Sequence, residues 1–370
     1  MKRAVELCSG AGGLTEGLTK AGFEIVCTVD NDPDILKLRP LDKKHVLSDI
    51  ANFNFSDCVD LLVAGFPCQP FSSSGHRSGF SHPSGSVFDY FLKIVDSIRP
   101  TGILLENVLG LLSNKCGHTF WSIIKEISER GYTVEWFTIE SLSLGIPQDR
   151  SRVFIAATHT NNLGNFPKSA RKIGFLEELI FSTRLEIGYK PKRIHAPKNG
   201  RLINDTCVQT PDLIPKNEYI RPPHIGDIIA PGLKNRHELR SVRYWAHTGK
   251  TKAYFKSAPI AHAVGTSIGA APLFGFKRLP TAEEKNFIKT ISSWSRVEPD
   301  GSGFVFRLNP ELAVSLFGED AKFLSHHFRQ STLSNSTKYR LLGNMVVPRV
   351  GTYAAELILK RLNNDSPLRK

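Results

Sequence analysis

The chain has 370 residues, of which 41% are hydrophobic and 22% are charged, and its formal net charge is +13. These values are typical of a soluble globular protein, and the length suits two domains or one large domain with an insertion. The sequence contains no run of about 18 apolar residues and enters a strand at once, so we expect neither a membrane span nor a signal peptide.

The six cysteines form no Cys-x-x-Cys pair. Their scatter argues against a structural zinc site and against a disulfide framework, so we expect no metal. A reduced protein in the cytoplasm is the natural interpretation.

Positive charge is concentrated between Asn165 and Ile260. This stretch holds 18 Lys and Arg against 8 Asp and Glu, so it carries +10 of the total charge of +13. A segment of this kind predicts polyanion binding, because neutralised phosphates release counterions. A merely solvated basic surface is the alternative. Lys250, Lys252 and Lys256 lie among aromatic side chains that could contact bases as well as phosphates.

The sequence pattern differs between the first part of the chain and the middle. From Lys2 to about Thr158, short apolar runs alternate with helical patterns, which predicts an α/β fold with a doubly wound, mostly parallel sheet. From about Asn161 to Pro280 the periodicity fades while Pro, Gly, Asn and Lys increase, which predicts a smaller, irregular domain. The amphipathic pattern of residues 353–362 predicts a helix that packs back on the first domain.

The first predicted turn, "ELCSGAGGLTEGL", places Gly10, Gly12 and Gly13 between a strand and a helix. Glycines there let a ligand approach the backbone and the helix N-terminus. A dinucleotide-binding fingerprint would need Gly or Ala at the position of Thr15, so a cofactor without a pyrophosphate is favoured. Asp30 ends the second predicted strand, where it could bind a ribose diol, and Asp49 ends the third. Ordinary turns and caps are the alternative for both aspartates.

Two further strand ends carry reactive side chains. Cys68, in "GFPCQPFS", follows a predicted buried strand over residues 59–64, in the place where ligands bind in open α/β sheets. A buried structural cysteine is the alternative. Glu106, in "GILLENV", follows four apolar residues, and desolvation there would raise its pKa, as suits a proton donor. Arg150 and Arg152 alternate on a later strand, so a structural ion pair with Glu106 is the other interpretation.

These motifs, taken in order, resemble the motif series of the cytosine-C5 DNA methyltransferases of the bacterial type II modification kind. The series comprises a glycine-rich first turn and then "GFPCQPFS", "LLENV", "PQDRSRVF" and "YRLLGNMVVP". The match spans roughly residues 4–155 and 338–358. Several motifs in the right order make the resemblance specific.

The resemblance implies a Rossmann-like catalytic domain that uses S-adenosylmethionine and needs no metal. It implies methyl transfer to carbon 5 of a cytosine flipped out of a short double-stranded DNA site, with S-adenosylhomocysteine as the product. The implied divisions are a catalytic and cofactor-binding domain over residues 1–160, a target-recognition domain over 161–330, and a segment over 331–370 that returns to the catalytic domain.

The implied chemistry assigns roles to the residues found above. A thiolate of Cys68 would add to carbon 6 of cytosine and make carbon 5 nucleophilic. Glu106 would hydrogen-bond or protonate N3 and hold the exocyclic amine. Arg152 would bind O2 and brace Glu106. The supporting residues would be Gln148 and Arg150, which hold the nearby backbone, and Asn107, beside Glu106.

The cofactor pocket follows from the same resemblance. Its implied members are Cys8, Gly10, Ala11, Gly12, Gly13, Asp30, Asn31, Asp49, Ile50, Pro67, Val87, Asn344 and Val346. The family usually has Phe at the position of Cys8, Glu at that of Asp30 and Ala at that of Met345, so adenine packing and ribose contact are expected to differ in detail. "KRLPTAEE", residues 277–284, is the best match to an otherwise indistinct motif.

Alternatives differ in polymer or in chemistry. A related branch methylates cytosine in transfer RNA, and charge alone does not separate the two substrates. A zinc-dependent cytosine deaminase would need a second Cys at the position of Phe71 and a His-x-Glu upstream of Cys68. A nicotinamide dehydrogenase is disfavoured by Thr15. A catalytically silent DNA-binding protein would not need Cys68 and Glu106.

The expected partner is double-stranded DNA, bound by a monomer. A restriction endonuclease could act on the same site without forming a stable complex. The recognition sequence is not readable from the chain, because no rule converts the variable segment into bases.

Overall fold

The structure is a computed structural model. It describes residues 1–38, 44–66, 87–113, 117–159, 171–175, 200–203, 206–209, 219–247, 250–255, 261–262, 273–298, 301 and 303–364. Of the predicted site residues, Pro67 and Cys68 lie outside the described residues, as do Phe71 and Lys256.

A mostly parallel sheet forms the centre of the fold, in the strand order β3-β2-β1-β4-β5-β8-β6. Its strands are β1 Lys2–Leu7, β2 Phe23–Asp30, β3 His45–Leu47, β4 Leu61–Gly65, β5 Gly102–Val108, β6 Thr133–Glu140 and β8 Ser151–Thr158. The first five strands in this order pair in parallel, whereas β8 runs antiparallel to both of its neighbours. The predicted doubly wound, mostly parallel sheet is confirmed.

Alternate residues of the central strands enter two separate apolar cores. On β4, Leu61 and Val63 belong to one core and Leu62 and Ala64 to the other. Burial on both faces explains the continuous apolar runs in the sequence. One core includes residues of the helices α1 Gly13–Lys20, α2 Pro33–Leu38 and α10 Pro348–Asn364, and the other includes residues of α3 Val87–Ile98 and α4 His118–Ser128.

Helix α10 packs directly on α1, as its amphipathic pattern predicts. A Cβ atom placed on Gly17 would stand 2.6 Å from the backbone of Gly351 and 2.6 Å from that of Thr352. Since real Cβ atoms do not approach other atoms so closely, only glycine at position 17 permits this packing. The C-terminal segment is thereby held against the face of the sheet that α1 covers.

The middle of the chain adds strands in two places. Strands β9 Arg171–Phe175, β10 Gly200–Ile203 and β11 Thr206–Gln209 extend the central sheet beyond β6 in antiparallel pairing. Strands β12 Arg240–His247, β13 Lys250–Phe255, β15 Leu273–Phe276, β16 Ser292–Val297 and β17 Phe304–Leu308 form a second, antiparallel sheet. Two short strands, β7 Gln148–Asp149 and β14 Ala261–His262, pair in parallel.

Five short helices complete the described structure between β11 and α10. They are α5 Ile225–Ile229, α6 Ala282–Ile291, α7 Pro310–Ala313, α8 Lys322–Gln330 and α9 Asn335–Asn344. Within the described residues, no helix has the length and apolar character needed to cross a membrane.

Candidate functional site

The turn between β1 and α1 has an unusual backbone. Three of its residues have positive φ: Cys8 at 55°, Gly10 at 52° and Gly12 at 85°. The Ser9 N–H donates to the Val29 carbonyl of β2 at 3.1 Å, and the Gly12 N–H donates to the Ser9 carbonyl at 3.1 Å. Glycine adopts this conformation without steric cost, whereas Cys8 adopts it under strain. The tight turn brings the Gly10 backbone to the carboxyl end of the sheet.

Asp30, at the end of β2, fixes that turn with both carboxylate oxygens. Oδ2 accepts a hydrogen bond from the Gly10 N–H at 2.8 Å, and Oδ1 accepts one from the Asp32 N–H at 2.9 Å. Each oxygen keeps a second lone pair, so Asp30 could still bind a hydroxyl of a ligand.

Asp49 lies after β3 and caps the short 3-10 turn Ile50–Asn52. Its Oδ1 accepts from the Ala51 N–H at 2.9 Å, and its Oδ2 accepts from the Asn31 side chain at 3.1 Å. The ordinary cap considered as the alternative for Asp49 is therefore present. The same bonds also orient Asp49 and Asn31 at the rim of a cavity.

A cavity of about 400 Å³ lies at the carboxyl ends of the parallel strands. This volume falls within the range of roughly 300–1,000 Å³ that small-molecule sites occupy. The predicted site residues that line it are Cys8, Gly10, Ala11, Asp30, Asn31, Asp49, Ile50, Val87, Glu106, Asn107, Arg152, Asn344 and Val346. Gly13 instead packs beside the cavity, because a Cβ atom there would stand 2.0 Å from the Val346 carbonyl oxygen.

Glu106 and Arg152 form a buried ion pair in the cavity wall. The Nε atom of Arg152 lies 2.8 Å from Oε1 of Glu106, and their side chains are 13% and 9% exposed. They are diagonal neighbours on β5 and β8, where Val108 is opposite Arg152. Burial raises the pKa of Glu106, against the opposing charges of Arg152 and Arg150. The ion pair considered as an alternative thus exists, and it lies where a ligand can reach it.

Arg150 contacts the end of the chain. Its Nη2 atom donates to the carbonyls of Gly343 and Met345 at 2.7 and 2.8 Å. Its guanidinium lies over the ring of Phe317, 5.7 Å from the centroid. Burial, followed by the nearby charge of Arg152, lowers the pKa of Arg150. Arg150 therefore holds backbone that forms part of the cavity wall.

Two buried amide side chains also donate hydrogen bonds to backbone carbonyls. The Nε2 atom of Gln148 donates to the Leu316 carbonyl at 3.2 Å. The Nδ2 atom of Asn107 donates to the Phe66 carbonyl at 3.2 Å and so fixes the residue that follows β4. Cys68 lies outside the described residues, two positions beyond Phe66 in the sequence.

Cys8 is a cysteine of the cavity wall. Burial, together with the nearby carboxylates of Asp30, Asp49 and Glu6, raises the pKa of its thiol to about 12. The thiolate is the nucleophilic form of cysteine, so Cys8 is a neutral packing group at physiological pH.

Glu6, Asp32 and Arg340 line the cavity but were not predicted from the sequence. Oε2 of Glu6 accepts a hydrogen bond from the Thr15 hydroxyl at 2.6 Å. Glu6 could have been predicted, because it is an acidic residue on the strand that enters the glycine-rich turn. Its side chain points to the face of the sheet that α1 covers. Arg340 and Asp32 are 308 positions apart in the sequence, so no local sequence pattern indicates their contact.

Comparison with known proteins identifies the family. Residues 2–360 match the model of the C-5 cytosine-specific DNA methylases. The chain belongs to this family. The match covers nearly the whole sequence, so the cavity and the Glu106–Arg152 pair are features of a C-5 cytosine-specific DNA methylase.

Curated relatives of the chain include bacterial type II methyltransferases. Type II methyltransferase M.NgoBI of Neisseria gonorrhoeae is 32% identical over 210 residues, which are 54% of this chain and 66% of that protein. Type II methyltransferase M.FnuDI of Fusobacterium nucleatum is 33% identical over 193 residues, which are 49% of this chain and 56% of that protein. The aligned regions therefore span between about half and two thirds of these relatives.

Solved structures support the methylase fold over the full length. The crystal structure of the S. pombe Dnmt2 methyltransferase has a TM-score of 0.58 at 19% identity, covering 98% of this chain and 100% of that chain. A putative DNA modification methyltransferase of an E. coli prophage has a TM-score of 0.53 at 17% identity, with 98% and 100% covered. At these identities the similarity shows the fold alone.

Proposed function

We propose that this methylase transfers a methyl group from S-adenosylmethionine to carbon 5 of a cytosine flipped out of a short double-stranded DNA site. The main support for the proposal is that one cavity holds two sets of residues. It brings the glycine-rich turn and Asp30, which suit a nucleoside ligand, next to the Glu106–Arg152 pair, which suits a pyrimidine.

The cavity fits the proposed donor. Asp30 offers free lone pairs to a ribose diol, and Asp49 with Asn31 offers polar atoms at the rim. Ile50, Val87 and Val346 add apolar wall suited to a flat base. S-adenosylmethionine, when bound, supplies an electrophilic methyl group.

Cytosine must be activated because its carbon 5 is a weak nucleophile. The thiolate of Cys68 would form a bond to carbon 6, and the electrons of the carbon 5–carbon 6 double bond would shift towards N3. Glu106 would donate a proton or a hydrogen bond to N3 and accept one from the exocyclic amine. Arg152 would donate to O2 while it keeps the Glu106 carboxyl in place.

The last steps reverse the activation. Once carbon 5 carries the methyl group, a base removes its remaining proton. The electrons of that carbon–hydrogen bond re-form the carbon 5–carbon 6 double bond and expel the Cys68 thiolate. The raised pKa of the Cys8 thiol supports Cys68, rather than Cys8, as the nucleophile.

DNA is proposed as the polymer because of the basic segment between Asn165 and Ile260 and because of the family. Protection of host DNA within a restriction-modification system follows as part of the proposal, since the curated relatives are type II methyltransferases. A cognate endonuclease acting on the same site, a monomeric state and a cytoplasmic location belong to the same proposal.

The test is to incubate the protein with S-adenosylmethionine and either unmethylated genomic DNA or transfer RNA, followed by sequencing for 5-methylcytosine at base resolution. We expect methylation of DNA in one short recurring context. Marks on RNA alone would overturn the proposed polymer while keeping the chemistry, and no marks on either would overturn the proposed activity.

The nucleophile is tested with Cys68→Ala, compared with Cys58→Ala, which alters an exposed cysteine. We expect Cys68→Ala to abolish methyl transfer with DNA affinity largely retained, because the thiol serves chemistry rather than affinity. Cys58→Ala should behave as the unmodified protein. Near-normal turnover by Cys68→Ala would refute the assignment.

A further inference from the structure

Helix α9 carries part of the cavity wall and is anchored at its middle. Leu341, Gly343 and Asn344 line the cavity. Just before them, the Tyr339 hydroxyl donates to the Leu308 carbonyl, and Lys338 forms an ion pair with Glu311 at 2.6 Å. These contacts tie the helix to β17 and α7, on the side away from the cavity.

Arg340 ties the same helix to the opposite side of the cavity. Its Nη1 atom lies 2.5 Å from Oδ2 of Asp32, and its Nη2 atom lies 2.8 Å from Oδ2 of Asp34. The guanidinium thus spans two carboxylates with separate nitrogen atoms, a geometry that a lysine cannot reproduce.

The ion pairs of Arg340 continue into the predicted ribose site. The Asp32 N–H donates to Oδ1 of Asp30, and the Gly10 N–H donates to Oδ2 of Asp30. A continuous polar chain therefore runs from the glycine-rich turn through Asp30 and Asp32 to Arg340 on α9. All four residues line the cavity.

We propose that Arg340 is a positioning residue for the methyl donor: it fastens the C-terminal wall of the cavity to the loop that orients Asp30. This role rests on the proposed function, because it takes S-adenosylmethionine as the ligand. Arg150 holds the same wall from the other side through Gly343 and Met345. Arg340 therefore controls donor affinity, and Arg150 joins the wall to the Glu106–Arg152 pair.

Long-range electrostatics is the competing explanation for a change in ligand affinity. It predicts different changes for the two ligands and for the two variants. S-adenosylmethionine carries a net positive charge, whereas S-adenosylhomocysteine has no sulfonium and no net charge. Removing the positive charge of Arg340 would make the site more negative and favour the cationic donor. Removing the negative charge of Asp34 would do the opposite. Loss of positioning weakens both ligands in both variants.

The experiment measures binding of S-adenosylmethionine and S-adenosylhomocysteine by isothermal titration calorimetry, without DNA, to the full chain and its variants. We expect Arg340→Met to weaken both ligands by about five- to tenfold. Asp34→Asn should weaken both by a smaller factor, because Arg340 keeps its contact with Asp32. The double variant should be little weaker than Arg340→Met, because Arg340→Met already removes the contact with Asp34. Arg340→Lys should fall between Arg340→Met and the unmodified protein.

Lys37→Met is the matched control. Lys37 is exposed and pairs with the same Asp34 carboxylate at 2.9 Å, but it makes no contact with α9 among its described contacts. We expect unchanged binding of both ligands. Denaturant unfolding of each variant shows whether the cavity wall or the whole fold is affected, since a positioning role predicts lost affinity at near-normal stability.

The outcomes separate this role from the proposed activity. Normal binding by Arg340→Met, or shifts of opposite sign in Arg340→Met and Asp34→Asn, would overturn the positioning role while leaving the methyltransferase proposal intact. Failure of the unmodified protein to bind either ligand would overturn the donor assignment, and the role of Arg340 with it. Weakened donor binding by Arg340→Met, in a protein that methylates RNA but no DNA, would support Arg340 and overturn only the polymer.

Discussion

Glu106 is subject to two opposing influences. Burial raises the pKa of its carboxyl, while Arg152, 2.8 Å away, and Arg150 lower it, and burial dominates. A raised pKa enlarges the protonated fraction near neutral pH, which suits a group that must donate a proton to N3. The protonated fraction, and with it the methyl transfer rate, should fall as the pH rises through the raised pKa.

We therefore expect Glu106→Gln to lower kcat by about 10²- to 10⁴-fold, the usual contribution of a positioned acid. Glutamine keeps the shape and the hydrogen bonds but has no titrating proton, so the high-pH decline of the rate should disappear. The measurement is the pH dependence of single-turnover methylation. Glu129→Gln, which changes an exposed carboxylate, should leave the pH profile as it is. A Glu106→Gln profile with the original decline would assign that titration to another group.

Individual site residues were predictable where a strand end marked them. Asp30, Asp49 and Glu106 each follow an apolar run, and the carboxyl ends of parallel strands meet at one edge of a sheet. Arg340 was not predictable, because its partners lie about 300 positions earlier in the sequence. The ribose, adenine and cytosine contacts assigned by resemblance stay predictions.

At the scale of elements, the approach of α1 to α10 depends on Gly17. Alanine has the higher helix propensity, by about 1 kcal/mol in a helix interior. Its Cβ, however, would stand 2.6 Å from the backbone of α10, and overpacking of this kind costs roughly 1–3 kcal/mol. Because the close atoms belong to backbone and cannot rotate away, the upper part of this range applies. We expect Gly17→Ala to lower the free energy of unfolding by about 1–2 kcal/mol, measured by denaturant titration.

Thr19→Ala is the control in the same helix. Thr19 is exposed, so the substitution raises helix propensity without a clash, and its only described side-chain hydrogen bond, to the Thr15 carbonyl, is also exposed. Stability should stay within about 0.5 kcal/mol of the unmodified protein. Equal effects of the two substitutions would show that the contact between the helices does not constrain position 17.

The elements of the first half were predictable because their strands are buried on both faces. The second, antiparallel sheet was not predictable, and the part of the chain that forms it was predicted to be irregular. On β17, Phe304, Phe306 and Leu308 enter a main core, whereas Arg307 points to the other face. The apolar run of β17 thus ends after three residues, and β16 is exposed along most of its length. Strands of this kind lack the run of four to eight apolar residues that marks a central strand.

For the whole molecule, one core joins regions that the sequence separates. Phe274, Phe306 and Leu324, from the predicted recognition domain, share a core with Leu18 of α1 and Ile358 of α10. The limits at residues 160 and 330 stay predictions. The shared core implies that the recognition region is held firmly against the catalytic half, since separating them would expose apolar surface.

The distribution of charge is also a whole-molecule property, and it determines how salt affects DNA binding. Lys250 and Lys252 lie two positions apart on β13, within the basic segment between Asn165 and Ile260. If both contact phosphates, Lys250→Ala with Lys252→Ala should weaken binding to duplexes of every sequence. The slope of log affinity against log salt concentration should become shallower by about 1 per lysine.

Fluorescence anisotropy with a labelled duplex, titrated at several salt concentrations, measures this slope. The control removes two exposed positive charges elsewhere, Lys93 on α3 and Lys360 on α10. Total charge then changes equally in the two double variants, so only phosphate contact at β13 makes their slopes differ. Equal slopes would mean that net charge alone drives association, and the DNA-binding face would have to be sought on another part of the basic segment.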